Sequence, residues 1–205
     1  MSAQKIRPIS VEGRSPSLIS PRDQARVTAI MPPETIYVAP LSLVEATVAD
    51  AAIGHLVTLI NNETMIATPA TIQPERHLRL AMNDISEPQE GLVLPCEAHV
   101  TNLVDFALNW DRKAPLLIHC WAGISRSTAA AFISLCALNP EIDERRLARV
   151  LREASATASP NRRLVSLADH ALCRSGRMVE AVEEIGRGEY AEEAQVFALP
   201  ALHAA

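Results

Sequence analysis

Apolar residues fall into short runs and longer periodic stretches along this chain. Thr35–Ala39 (TIYVA), His55–Ile60 (HLVTLI), His77–Met82 (HLRLAM) and Leu116–His119 (LLIH) are bounded by turn-forming residues and have strand length. Leu43–Ile53 has helical periodicity, with Ser42 as the expected N-cap and Gly54 beyond its end. Glu97–Trp110 follows Pro95 and places Val100, Leu103, Val104, Ala107 and Leu108 on one face of a helix. Residues 61–76 form a polar connection with room for one helical turn. Helices are expected at about 126–138, 143–154 and 162–185, punctuated by Pro140 and Pro160. Strands alternating with helices, then a helical C-terminal half, predict an α/β fold: a mostly parallel sheet of four to five strands flanked by helices.

Residues 1–30 break the pattern. They contain three prolines and no aromatic residue, and carry five basic against two acidic side chains. With no apolar periodicity they are read as a flexible extension. The expected organisation is an extension over 1–30, a domain over 31–188 and a weakly ordered tail over 189–205.

Composition adds exclusions. Forty-eight per cent apolar residues in 205 suffice for a buried core. A net charge of −5 argues against a general nucleic-acid binder. No apolar stretch approaches the roughly 20 residues of a membrane span, and no secretory signal is evident. The four cysteines, at 96, 120, 136 and 173, match neither a disulfide framework nor a metal pair. They are read as reduced thiols in a cytoplasmic protein.

The chemistry concentrates in HCWAGISRS, residues 119–127, between strand 116–119 and the helix beginning near Arg126. Ligands of open α/β sheets bind at the carboxyl ends of strands. A loop entering a helix there turns backbone N–H groups inward, which with the helix dipole makes an anion site. Gly123 lets the loop curl, and Arg126 offers a two-point contact to an oxyanion. Cys120 in that field is favoured as thiolate, a nucleophile aimed at a bound phosphorus. Ser127 can donate a hydrogen bond to the sulfur. His119 is expected to order the loop through the backbone rather than act as a base.

These residues resemble the protein tyrosine phosphatase superfamily signature, His-Cys-x5-Arg-Ser/Thr, with His119, Cys120, Gly123, Arg126 and Ser127 in register. The resemblance extends more weakly over about 34–175 and is closest to the compact, dual-specificity-like and small bacterial members. It implies a phosphate-binding loop of Trp121, Ala122, Gly123, Ile124, Ser125 and Arg126, with Cys120 as nucleophile. It implies a general acid on a separate loop, for which Asp84, 36 residues before Cys120, is the candidate; Glu87 and Glu90 share that loop. It further implies a metal- and cofactor-independent hydrolase acting on phosphotyrosine in proteins or on small phosphomonoesters. Phosphoserine and phosphothreonine stay open, and oligomeric state is not implied. The loop holds no Lys, which disfavours phosphoinositides.

Other readings compete. Rhodanese- and arsenate-reductase-type enzymes also seat a Cys in an anion loop, and a phospho-binding module would use the cradle alone. Cys96, Cys136 and Cys173 read as packing residues. Trp121 fits the pocket rim and simple packing equally. Arg145, Arg146, Arg149 and Arg152 read as a solvated face paired with Asp143, Glu144 and Glu153. Arg162 and Arg163, after Ser159-Pro160-Asn161, are candidates for substrate contact.

Overall fold

The apolar runs pair into one sheet. β1 (Thr35–Pro40), β2 (His55–Ile60), β3 (His77–Ala81), β4 (Leu116–Cys120) and β5 (Phe197–Pro200) lie in the order β3-β2-β4-β1-β5. The first four are parallel; β5 runs antiparallel to β1 at the edge. A computed structural model provides these coordinates and describes residues 32–204. The extension read over 1–30 lies outside the described residues.

Strands β2 and β4 are buried at every position because both faces of the sheet are covered. On one face, Val57, Leu59, Ile118 and Cys120 join the main core under the C-terminal helices. On the other, Leu56 and Leu117 pack beneath α1 (Val44–Asp50). Register places His119 of β4 opposite Thr58 of β2 and Ala39 of β1.

Helices follow the expected spans with informative differences. A 3-10 turn over Leu41–Leu43 precedes α1, so Leu43 holds the cap position and Ser42 does not cap. The Ser42 hydroxyl instead donates to Glu193 Oε2 at 2.8 Å. In α2 (Glu97–Asn109), Val100, Leu103 and Ala107 are buried. Leu108, expected on that face, is 52% exposed; one residue past Ala107, it is rotated about 100° around the helix.

Central α3 (Arg126–Leu138) is buried from Arg126 to Ala137, which is why its sequence shows no polar face. After α4 (Glu144–Ala154) the expected single helix over 162–185 is two, α5 (Arg162–Ala171) and α6 (Arg177–Ile185). Between them Cys173, Ser175 and Gly176 take positive φ. The Asp169 carboxylate closes this corner by accepting from the Gly176 and Met178 backbone N–H groups.

Of the basic run on α4, Arg146 and Arg152 donate to backbone carbonyls, and the other two pair across helices. Arg145 bridges Glu180 and Glu184 of α6, and Arg149 also meets Glu184. Glu144 is buried and engaged by Arg174 and Arg177. Of the three cysteines read as packing residues, only Cys136 is buried, where burial pushes its thiol up. Cys96 sits exposed at the N-cap of α2, and Cys173 is exposed in the left-handed corner.

The tail read as weakly ordered over 189–205 contributes strand β5. Ala201 N–H donates to Glu34 O, and the Asn139 side chain holds both Ala201 O and His203 N–H. Apolar Phe197 and Leu199 had too short a run for periodicity to register.

Candidate active site

β4 delivers Cys120 to the carboxyl end of the sheet, and α3 starts six residues later at Arg126. The chain between them is a loop whose carbonyls are held from outside. Trp121 O accepts from Leu41 N–H at 2.9 Å, Ala122 O from Ala194 N–H at 2.8 Å and Ile124 O from Ser159 N–H at 2.9 Å. Ser125 O accepts from Ala129 N–H at 3.0 Å and Asn161 N–H at 3.3 Å. Cys120 O meets His119 Nδ1 at 3.3 Å. Peptides here are trans, so each N–H points opposite to its carbonyl. The N–H groups of Trp121, Ala122, Gly123, Ser125 and Arg126 therefore turn to the loop's inner side. That makes a backbone cradle for an anion at a helix N-terminus.

Gly123 is required on two counts. Its φ is +73°, and a Cβ there would stand 2.8 Å from Pro40 N. The Cys120 sulfur lies 3.1 Å from the Ser127 hydroxyl, with both residues buried. Arg126 is buried too: Nη1 donates to Met82 O at 2.8 Å, while Nε has no hydrogen-bond partner among the described residues. A buried donor without an acceptor is costly, and an oxyanion in the cradle would satisfy it.

Asp84 stands on the loop after β3. Its Oδ1 accepts from Ser125 Oγ and Asn161 Nδ2, each at 2.8 Å. Its Oδ2 is 3.9 Å from Arg126 Nε. One carboxylate oxygen is thus anchored and the other faces the guanidinium. Glu87 and Glu90, in the same loop, are exposed.

Asn161 escaped the sequence reading. Its Oδ1 caps α5 by accepting from Leu164 N–H at 3.0 Å, and its amide holds Asp84. The available cue was an Asn directly after Pro and before a helix. Of the two arginines beyond it, Arg163 donates to Pro95 O at 2.7 Å, a structural tie, while Arg162 lines a cavity. Trp121 is 53% exposed.

His119 is fully buried. Burial pushes its ring down to about 4, below the usual histidine range, with the hydrogen bond to Cys120 O opposing and the Arg126 charge adding to the shift. It is neutral near pH 7 and held by neighbours, which suits ordering rather than proton transfer.

No protein-family model and no curated protein matches the sequence. Solved structures do match in three dimensions. DUSP15 superposes with a TM-score of 0.54 over 81% of this chain and 97% of its own, at 19% identity. The human tyrosine phosphatase-like serine/threonine/tyrosine-interacting protein gives 0.55 over 72% and 95%, at 20% identity. The fold is that of the dual-specificity phosphatases. PTPMT1 in complex with PI(5)P shares this dual-specificity phosphatase fold, with a TM-score of 0.51 over 74% and 92% at 16% identity. A cavity of about 830 Å³ lies beside the cradle. Asp84, Ser125, Asn161, Arg162, Arg187 and Tyr190 are among its walls.

Proposed function

We propose that the chain is a phosphatase that hydrolyses phosphotyrosine in proteins through a phosphocysteine intermediate, without metal or cofactor. One observation carries the reading. Next to a buried cysteine, the loop carbonyls are held from outside, which turns five N–H groups inward, and the buried Arg126 Nε at the loop's end lacks an acceptor. A tetrahedral oxyanion supplies acceptors to all of them.

In the first step the Cys120 sulfur attacks phosphorus and the bond from phosphorus to the leaving oxygen breaks. The proton on that oxygen comes from Asp84, whose Oδ2 is the unanchored oxygen. In the second step water attacks phosphorus, Asp84 takes its proton and the S–P bond breaks. Ser127 Oγ, 3.1 Å from the sulfur, donates to the thiolate as it leaves. Through both steps Arg126 and the loop N–H groups hold the equatorial oxygens.

The group bearing the leaving oxygen must lie within reach of Asp84. The cavity bordered by Asp84 and Ser125 offers that space, and its volume suits a side chain with flanking residues. Phosphoserine and phosphothreonine peptides are the comparison substrates. The described thiols are free, which fits the proposed reducing cytoplasm. Among the described residues no helix is long and apolar enough to cross a membrane.

The test is steady-state hydrolysis of p-nitrophenyl phosphate and of a phosphotyrosine peptide in EDTA. Wild type should turn over, and Cys120→Ser should not, while still binding vanadate through the backbone cradle. A Cys120→Ser variant retaining a tenth of wild-type kcat would falsify the nucleophile assignment. Sulfur or arsenate chemistry without phosphomonoester turnover would favour the rhodanese- or arsenate-reductase-type reading. The Ser127 contact and the anchored Asp84 support the phosphatase reading over both of its rivals.

A further inference from the structure

We infer that Thr58, His77, Thr68 and Arg79 form a line of positioning residues that sets the reactivity of Cys120 from the edge of the sheet. The inference rests on Cys120 being the nucleophile, as proposed above.

The line can be followed atom by atom. His119 Nδ1 faces Cys120 O at 3.3 Å. A carbonyl oxygen only accepts, so Nδ1 carries the ring proton and Nε2 is bare. Thr58 Oγ1 lies 2.8 Å from that Nε2, so the threonine hydroxyl donates to it. A hydroxyl has one proton, and Thr58 has now used it. Thr58 Oγ1 is also 2.8 Å from His77 Nε2, and this contact forces His77 Nε2 to be the donor. His77 Nδ1 is then bare, and it accepts from Thr68 Oγ1 at 2.9 Å. The Thr68 oxygen in turn accepts from Arg79 Nη2 at 2.8 Å.

The carbonyl end fixes the direction, and the guanidinium at the other end agrees with it. A guanidinium can only donate and a carbonyl can only accept. Five hydrogen bonds therefore run one way, from exposed Arg79 on edge strand β3, through two neutral rings, to the nucleophile's own carbonyl. His119 and Thr58 are fully buried and His77 is 8% exposed. Every polar atom of the three side chains is nonetheless satisfied, the condition under which a buried polar network is tolerated. Donors aligned in series polarise one another, which strengthens the last bond.

That last bond matters for chemistry. It draws the Cys120 carbonyl toward His119, and the trans peptide then turns the Trp121 N–H to the cradle's inner side. A donor on this carbonyl also offsets the partial negative charge nearest the sulfur. Thr58 is the joint: it alone bridges the two rings, and register sets it opposite His119. None of the four residues touches the anion, so each acts through His119.

The experiment follows the pH at which Cys120 becomes reactive, read from the rate of alkylation by iodoacetamide, beside kcat/KM for p-nitrophenyl phosphate and the melting temperature. Thr58→Val keeps shape and removes the joint. It should raise the midpoint of alkylation by about one pH unit, a tenfold change in the ionisation equilibrium. Thr58→Ser keeps the hydroxyl and should restore the wild-type midpoint. Arg79→Met, at an exposed site, should raise the midpoint by a smaller amount. A folded Thr58→Val with the wild-type midpoint overturns the inference. Should Thr58→Val not fold, an unchanged midpoint in Arg79→Met overturns it. Alkylation requires no turnover, so an inactive wild type whose midpoint still rises in Thr58→Val would fault the proposed reaction and leave the line standing.

Discussion

Asn161 performs two tasks with one side chain: its oxygen starts α5 and its amide grips Asp84. Replacing it by Ala should cost about 1 kcal/mol as a lost cap and should also release Asp84 from one of its two donors. Asp84 itself is tested with two leaving groups. Asp84→Asn should lower kcat on a phosphotyrosine peptide by roughly 10²–10⁴-fold, and by less on p-nitrophenyl phosphate, whose leaving oxygen needs less protonation. Glu87→Gln is the control, because Glu87 is exposed and only Asp84 of this loop meets Ser125 and Asn161. A defect in Glu87→Gln with a normal Asp84→Asn would move the acid three residues along. That Cys120, Gly123 and Arg126 would share one loop between strand and helix was legible in sequence, because they lie within seven consecutive residues. Asn161 and Thr58 were not, since each works through a partner 77 or 61 residues away, and one sequence does not show which side chains will meet.

Elements were legible where a single period ruled. β2 spans the residues its apolar run implied, and α3 begins and ends as expected. The corner between α5 and α6 was not, because its punctuation is a left-handed turn closed by Asp169 rather than a proline. Ser42 misled for a related reason: a 3-10 turn shifted the start of α1 past it. The sheet carries its own acid sensitivity. Burial pushes His119 and His77 each down to about 4, with the Arg79 and His119 charges adding to the effect on His77. Above about pH 6.5 these rings are neutral in both folded and unfolded chains, and no stability is lost. As pH falls below that value the unfolded chain takes up protons that the folded sheet refuses, so stability declines until about pH 4. For fully buried His119 the loss is of the order of 3 kcal/mol. Urea midpoints between pH 7 and pH 4 should fall, and Thr58→Val should change the slope because it disturbs both rings. A flat profile would show that the rings are not held neutral.

At the scale of the whole molecule, the loop around the cysteine is assembled from distant parts of the chain: Leu41 after β1, Ser159 and Asn161 before α5, and Ala194 near the C-terminal end. Ala194 belongs to a segment pinned at Gly188 to Ser159 Oγ, at Glu189 to Ala156 O, and through Ser42 to Glu193. Ending the chain after Gly188 should remove the β5 edge and the donor on Ala122 O together. Melting temperature should drop, and vanadate affinity should fall more than the loss of an unrelated surface strand would cause. Unchanged vanadate binding in a truncated but folded chain would separate the cradle from this brace.

The chain's two tryptophans are placed unequally. Trp110 is buried, its indole N–H donating to Ala114 O at 2.9 Å, whereas Trp121, next to Cys120 in the chain, is 53% exposed. Excited at its tryptophans, the protein therefore carries a silent internal standard and a probe one residue from Cys120. Entry of an anion into the cradle should alter only the second emitter, and a quencher such as iodide should compete with that change. Ligand occupancy is thus readable by light in the unmodified protein, with Trp121→Phe as the blank.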